Sequence, residues 1–342
     1  MIQPQSTRLA FVTFLLRLPW ICLYGLGFAV CWSGLTLPAQ DEAVPTLRVN
    51  VNLVQIPVLV LTPAQERLHT PIAANRFFIR FGDGPPVRPR YVRMEGDDPI
   101  DLAIVLDTRS PQADLLPKIN QEIADLAPPF LHANDRVSIY AIHCAVLHSV
   151  ENVPAEPNQL KNAVDVALSS WTHDSQNKKS SVCSPDTRLW DDLAYMTNTL
   201  SKQPGRRVVL AVTNGDDTKS KRTSVDLAKM AQTDAVTFLG LYPSQDGPRG
   251  PLLREAGEDH LSSLCDQSGG IMLNLNESTV AKRMQQFTGM LRERYILEFP
   301  RPDANAGSLK ITVGIDGSND FIRPAGNGVP VADPIPMSPP EK

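Results

Sequence analysis

The stretch Ile104-Val105-Leu106-Asp107-Thr108-Arg109-Ser110-Pro111-Gln112 carries an apolar run straight into a carboxylate and a polar turn. A carboxylate at the carboxyl end of an apolar strand lies at the mouth of an α/β sheet, where ligands bind. A hard divalent cation takes oxygen ligands, and Asp107, Thr108 and Ser110 offer oxygens in one short segment. Arg109 argues the other way, because a guanidinium is permanently charged, pairs with a nearby carboxylate and repels a second cation. The local chemistry therefore poses one question: does Asp107 face a metal ion or an arginine?

Other chemistries leave little trace. There is no G-x-S-x-G elbow, P-loop or G-x-G-x-x-G loop, and neither C-x-x-C nor H-E-x-x-H occurs. The 6 histidines are scattered. His143, Cys144 and His148 stand close together in a strand-like segment, but adjacent strand residues point to opposite faces, so they are not read as a metal site. An enzyme would show a nucleophile–base pair in one cleft, and no catalytic residue is assigned. The net charge of -4 and the lack of a long Lys/Arg block exclude an electrostatic footprint for nucleic acid. With 42% hydrophobic and 20% charged residues the chain can build a core, while its 30 prolines gather in loops at Pro85–Pro89 and Pro128–Pro129 and in a tail at Val329–Pro340.

Residues 1–39 read as an address. Arg8 and Arg17 are the only charges before Asp41, Leu18–Leu37 is almost wholly apolar, and Leu37-Pro38-Ala39 approximates a small-residue cleavage site. A cleaved signal peptide is the expectation. The alternative is an uncleaved anchor, since an uncharged run of about 20 residues is long enough to span a bilayer; it would be this chain's one link to a membrane. Either way the remainder is exported to a secreted, periplasmic or envelope location. Losing residues 1–39 removes two arginines and no acids, which moves the net charge from -4 to -6.

The elements that must position Asp107 follow from periodicity. Ile100–Leu106, Arg207–Val212 and Val236–Leu241 are continuous apolar runs of strand length, and Val137–Ala141 and Ala145–Val150 are strand-like. Helical spacing recurs at Leu115–Leu126, Leu160–Leu168, Leu189–Leu200, Val225–Ala231, Leu261–Gln267 and Val280–Leu291, with Tyr295–Phe299 as the last strand of this block. Buried strands alternating with amphipathic helices imply an α/β fold with a doubly wound, mainly parallel sheet. Leu47–Leu53, Gln55–Leu61, Arg76–Phe81 and Leu309–Ile315 read instead as half-buried antiparallel strands with turns at Gly82-Asp83-Gly84 and Asp316-Gly317. Two or three such strands alone are marginal in water, so Leu47–Phe81 and Tyr295–Ile315 are expected to pack together. The polar segment Trp171–Asp186 reads as a loop.

The succession IVLDTRS, NDRVSIYAI, DTRLWDDL, RVVLAVTNGDD, CDQSGG and LRERYILEFPRP resembles a von Willebrand factor type A domain, of the kind found in exported acidobacterial proteins. The preceding FFIRFGDGPPV resembles the short β segment before that domain. The resemblance spans most of residues 46–324 and implies this organisation: signal peptide 1–39, N-terminal β segment 46–97, Rossmann-like A-type domain 98–294, C-terminal β segment 295–324 packing with 46–97, and Pro-rich tail 325–342. It also implies a metal-ion-dependent adhesion site at the sheet's upper edge, in a domain that binds proteins and is not a catalyst.

In the intact family site an aspartate and two hydroxyl residues follow D-x-S-x-S spacing, joined by a distant threonine and a second aspartate after another strand. Asp107 matches the first aspartate and Thr187 the threonine. Arg109 and Pro111 stand where the serines belong, Asn214 replaces the second aspartate, and Asp217 matches an acidic position that is not a ligand there. Thr108 and Ser110 cannot substitute by slipping one residue, because a slip turns both hydroxyls to the other face. The expectation is a degenerate rim formed by Asp107, Thr108, Arg109, Ser110, Thr187, Asn214, Asp216 and Asp217, with no metal or other cofactor and Asp107 paired to Arg109. Two alternatives stay open: an adhesion domain that still takes Mg²⁺ or Ca²⁺ through Asp107, Thr187 and Asp216 or Asp217, and, more remotely, an enzyme of unknown class. The partner is an unidentified protein.

Of the 5 cysteines, Cys22 and Cys31 leave with the signal. Cys144 follows a strand ending at the rim, and Cys183 lies in the loop leading to Thr187, so a Cys144–Cys183 disulfide is expected with Cys265 a buried free thiol.

Overall fold

The computed structural model describes residues 53–109, 113–126, 130–143, 146–177, 186–243, 256–300 and 311–325. Three strands come first: β1 (Leu53–Leu61), β2 (Phe77–Phe81) and β3 (Tyr91–Met94). The alternating block follows as β4 (Ile100–Asp107), α1 (Leu116–Ala124), β5 (Arg136–His143), β6 (Val146–Pro154), α2 (Pro157–Ala167), α3 (Ser169–Asn177), α4 (Leu189–Leu200), β7 (Arg206–Val212), α5 (Ser224–Thr233), β8 (Val236–Pro243), α6 (Ala256–Gln267), β9 (Met272–Leu275) and α7 (Val280–Arg292). Strands β10 (Tyr295–Pro300), β11 (Ile311–Ile315) and β12 (Phe321–Pro324) close the chain.

The central sheet has the order β6-β5-β4-β7-β8-β9, parallel throughout except for the β5–β6 hairpin. Counted within the block, that is the doubly wound order 3-2-1-4-5-6, and it reverses between β4 and β7. Every residue of β4 is buried, as a strand covered on both faces requires. Its side chains divide by parity. Leu102, Ile104 and Leu106 join the core built with α1, α2 and α7, whereas Ala103 and Val105 join the core built with α4, α5 and α6. Asp107 continues the second set and so turns toward α4. This is a doubly wound, Rossmann-like α/β fold.

The flanking strands form their own layer. β1 pairs antiparallel with β10 and with β12, and β3 pairs with β10, giving the order β12-β1-β10-β3; β2 and β11 make a separate two-stranded ribbon. The ribbon and the sheet share one core of Val58, Phe77, Ile79, Leu297, Phe299 and Val313. Tilted ring pairs cross between them, Phe77 with Tyr295 at 4.9 Å and Phe81 with Phe299 at 5.4 Å between centroids. A two-stranded ribbon is stable here because its apolar face is covered.

Several elements depart from the sequence reading. β10 belongs to the flanking sheet and not to the α/β block, because its Leu297 and Phe299 find their apolar partners across from β1. α3 occupies the start of the polar run read as a loop; helix α2 leads into it and Thr172 donates back to the Leu168 carbonyl at 2.9 Å from its amide and 3.1 Å from its hydroxyl. α6 begins at Ala256, ahead of its apolar periodicity. β3, β9 and β12, each four residues long, carry too few alternating positions to announce themselves. The address segment 1–39, the run 47–52 and the tail from 326 lie outside the described residues, as do Ser110, Cys144 and Cys183. Among the described residues no helix is long and apolar enough to cross a membrane.

Candidate functional site

Asp107 stands at the carboxyl end of β4, beside β7, where the strand order reverses. Such switch points are where ligands bind in doubly wound sheets. The residue is 2% exposed, and a buried carboxylate must find donors. Oδ1 accepts from the Arg109 backbone N–H at 3.1 Å and from Arg109 Nε at 2.9 Å. Oδ2 accepts from Arg109 Nη2 at 3.2 Å and from the Thr213 hydroxyl at 2.8 Å. The guanidinium therefore grips the carboxylate with two parallel bonds, the strong fork geometry that lysine cannot offer. The Thr213 hydroxyl in turn accepts from the Gly215 N–H at 3.1 Å, which fixes its proton on Asp107.

Thr108 is buried and turned the other way. Its hydroxyl donates to the Ile142 carbonyl at 2.9 Å and lies 3.0 Å from His143 Nδ1. This contact has the outward form of a nucleophile–base pair. The single hydroxyl proton is committed to Ile142, however, so Nδ1 is the donor in the Thr108–His143 contact and the pair ties β4 to β5.

The loop after β7 supplies the rest of the rim. Asn214 Nδ2 donates to Asp216 Oδ2 at 2.6 Å, and the Asp216 N–H donates to Asn214 Oδ1 at 3.3 Å. Asp217 accepts from the Ser220 hydroxyl at 2.6 Å, from the Ser220 N–H at 3.3 Å and from the Trp190 N–H at 3.4 Å. That last bond satisfies one of the free donors in the first turn of α4. Thr187 is clipped to the same loop: its N–H donates to the Thr218 hydroxyl at 2.9 Å, and its carbonyl accepts from Thr218 and Lys219 at 3.2 and 2.8 Å. Asp107, Arg109 and Thr213 thus form one bonded unit, while Thr187, Asn214, Asp216 and Asp217 build the adjoining loop.

Two participants escaped the sequence reading. Thr213 was hidden because its role depends on the register that sets β7 beside β4. Asp192 lies near the Asp107–Arg109 pair from the first turn of α4, and burial pushes its carboxyl up to about 6, against the pull of Arg109 and with further push from Asp191 and Asp107. Beside the loop lies an open cleft of about 340 Å³ bounded by Trp190, Asp216, Asp217, Arg222, Gly257 and His260. Its floor is set by two glycines: Gly215 has φ of +76°, and a Cβ there would come within 2.2 Å of the Gly257 carbonyl oxygen.

The resemblance implied a divalent cation, and the side chains present do not suit one. Both Asp107 oxygens are occupied by Arg109 and Thr213, and Asp217 is spent on Ser220 and α4. Among the described residues no group of three or more His, Cys, Asp or Glu side chains is arranged to hold a metal ion. Cys265 is a buried free thiol.

No family model matches the chain, and no curated protein matches it. Solved structures do. The chain is similar to an aerotolerance-related membrane protein from Bacteroides fragilis at 12% identity, TM-score 0.39, covering 56% of this chain and 98% of that one. It is similar to the pilus adhesin SpaC from Lactobacillus rhamnosus GG at 9% identity, TM-score 0.42, covering 74% of this chain and 47% of that one. It is similar to the SpRpn10 VWA domain at 10% identity, TM-score 0.36, covering 54% of this chain and 94% of that one. The class assigned above rests on strand order and register, and it is the class expected of a domain resembling von Willebrand factor type A.

Proposed function

We propose that the chain is an exported protein-binding module, for adhesion or assembly, whose partner meets the carboxyl rim of the central sheet without a metal ion. The observation that carries the reading is the Asp107–Arg109 pair: an arginine fork and the Thr213 hydroxyl occupy the carboxylate that would otherwise ligate a cation. An internal cation replaces an external one, so the rim is set before the partner arrives. The module is read as non-catalytic, since Asp107 has no oxygen turned to a substrate and the Thr108 hydroxyl proton is held by Ile142. Export rests on residues 1–39, with their apolar run and small-residue site.

Thermal melting of the full chain against calcium, magnesium and chelator tests the metal-free reading. Melting that is indifferent to all three is expected; a saturable rise with either cation, reversed by chelator, would sink it. Affinity capture from the native exported fraction tests the partner. The same bound protein should be recovered with and without chelator, and recovery should fall when Asp216 and Asp217 are replaced by asparagine.

A further inference from the structure

At the opposite edge of the central sheet, where its strands begin, a buried group of charges joins the flanking β layer to the α/β block. Glu95, just past β3, has a fully buried side chain and is shared by two arginines. Arg294, ahead of β10, takes it in a fork with Nε and Nη2 at 2.7 and 2.9 Å and donates Nη1 to the Thr237 hydroxyl at 2.5 Å. Arg206, the first residue of β7, brings Nε to 2.5 Å from the same carboxylate, outside hydrogen-bond geometry, and donates Nη2 to the Leu291 carbonyl. The Arg206 side chain is 9% exposed, and among the described residues its Nη1 has no hydrogen-bond acceptor.

The charges do not balance. Arg292 is matched by Asp135 and Arg93 by Asp98, which leaves Arg206 and Arg294 against Glu95 alone. Burial and the nearby Arg294 accordingly push the Arg206 guanidinium down to about 9. An uncompensated buried charge is costly and is ordinarily neutralised by a partner. Both arginines line a cavity of about 10 Å³, otherwise walled by Leu59, Val208, Leu239 and Met290. A site of that order holds one particle about the size of a water. A water would satisfy a donor and leave the charge, whereas a small anion does both.

We propose that this cavity binds a single small monoanion of the halide class, chloride in practice, held by Arg206 and Arg294 at the seam between the two layers. The anion completes the charge of a joint made from β1, β7, β8, α7 and the segment before β10. It is separate from the carboxyl rim and independent of any reading of that rim.

The test is a melting series on the full chain at fixed ionic strength, exchanging gluconate for chloride or bromide. A saturable rise of a few degrees is expected with either halide, lost in Arg206→Met. Crystals grown with bromide should show an anomalous peak within hydrogen-bond reach of Arg206, which decides the matter on the unaltered chain if the variant fails to fold. A melting point that follows only the general salt series, together with density lacking anomalous signal at that position, would show a water there and overturn the proposal.

Discussion

Removing Arg109 should expose how much of the rim depends on one ion pair. In Arg109→Met, Asp107 stays 2% exposed but loses the fork, keeping only the Thr213 hydroxyl at 2.8 Å and the residue 109 N–H at 3.1 Å. Breaking a buried pair by deleting one partner costs about 3–5 kcal/mol. Two surviving donors put this case at the lower end, about 3 kcal/mol, or a fall in Tm of about 6–12 °C for a domain of this size. Asp107→Asn should cost less, about 1–2 kcal/mol, because a guanidinium that is 13% exposed can turn toward water. The double variant should fall well short of the sum, with a coupling of about 1.5–3 kcal/mol. Urea or thermal unfolding of the four proteins measures this directly. Additive single effects, within about 0.5 kcal/mol, would refute the claim that the pair is the rim's internal cation bridge.

The pH response of the rim should belong to Asp192. Its folded value of about 6 lies above the ordinary ~3.9 of an unfolded aspartate. The folded state therefore keeps a proton that the unfolded chain has released, and stability falls as pH rises from about 4 to about 6. Asp192→Asn should flatten that decline and gain about 1–2 kcal/mol above pH 6, after discounting a partly exposed group for solvent screening; equal slopes in wild type and variant would refute it. Gly215→Ala must place a Cβ 2.2 Å from the Gly257 carbonyl oxygen at a positive φ, so a loss of about 3 kcal/mol or more is expected, measured by urea unfolding; a neutral variant would show that loop and α6 can part freely. In the exported form lacking residues 1–39, thiol counting after denaturation without reductant should find one free thiol, that of Cys265. Three would rule out the Cys144–Cys183 bridge.

How far the sequence revealed this arrangement depended on whether a signal was local. α4 is legible to the residue, because Leu189, Leu193, Met196 and Leu200 keep helical spacing and all are buried. β4 and β7 show as unbroken apolar runs because both of their faces are covered. The fork of Arg109 on Asp107 was readable for the same reason, its partners being two residues apart. Thr213 was not, since it reaches Asp107 across 106 residues through strand register alone. Asp192 looked like any helix-start acid until the fold set it beside the ion pair. β3, with the sequence Tyr-Val-Arg-Met and exposed or half-buried side chains, takes its pairing from β10 and not from any pattern of its own. α3 carries so little apolar periodicity that a helix there follows from α2 leading into it.

The pairing of β1 with β10 orders events in time as well as in space. Gln55 and Glu298 meet across a separation of 243 residues, and closing an open loop of that length costs about 5 kcal/mol in chain entropy. A chain emerging from its amino end thus carries β1 and β2 unpaired until almost everything else has been made. The α/β block lightens the burden once it has condensed, because its own ends return together: the Glu95 amide donates to the Arg294 carbonyl at 2.9 Å. The flanking strands then need to find one another only across a neck already closed. Assembly is thereby vectorial, with the block as scaffold and the outer sheet as the last zipper, and any delay in the block leaves two apolar strand edges open to other chains.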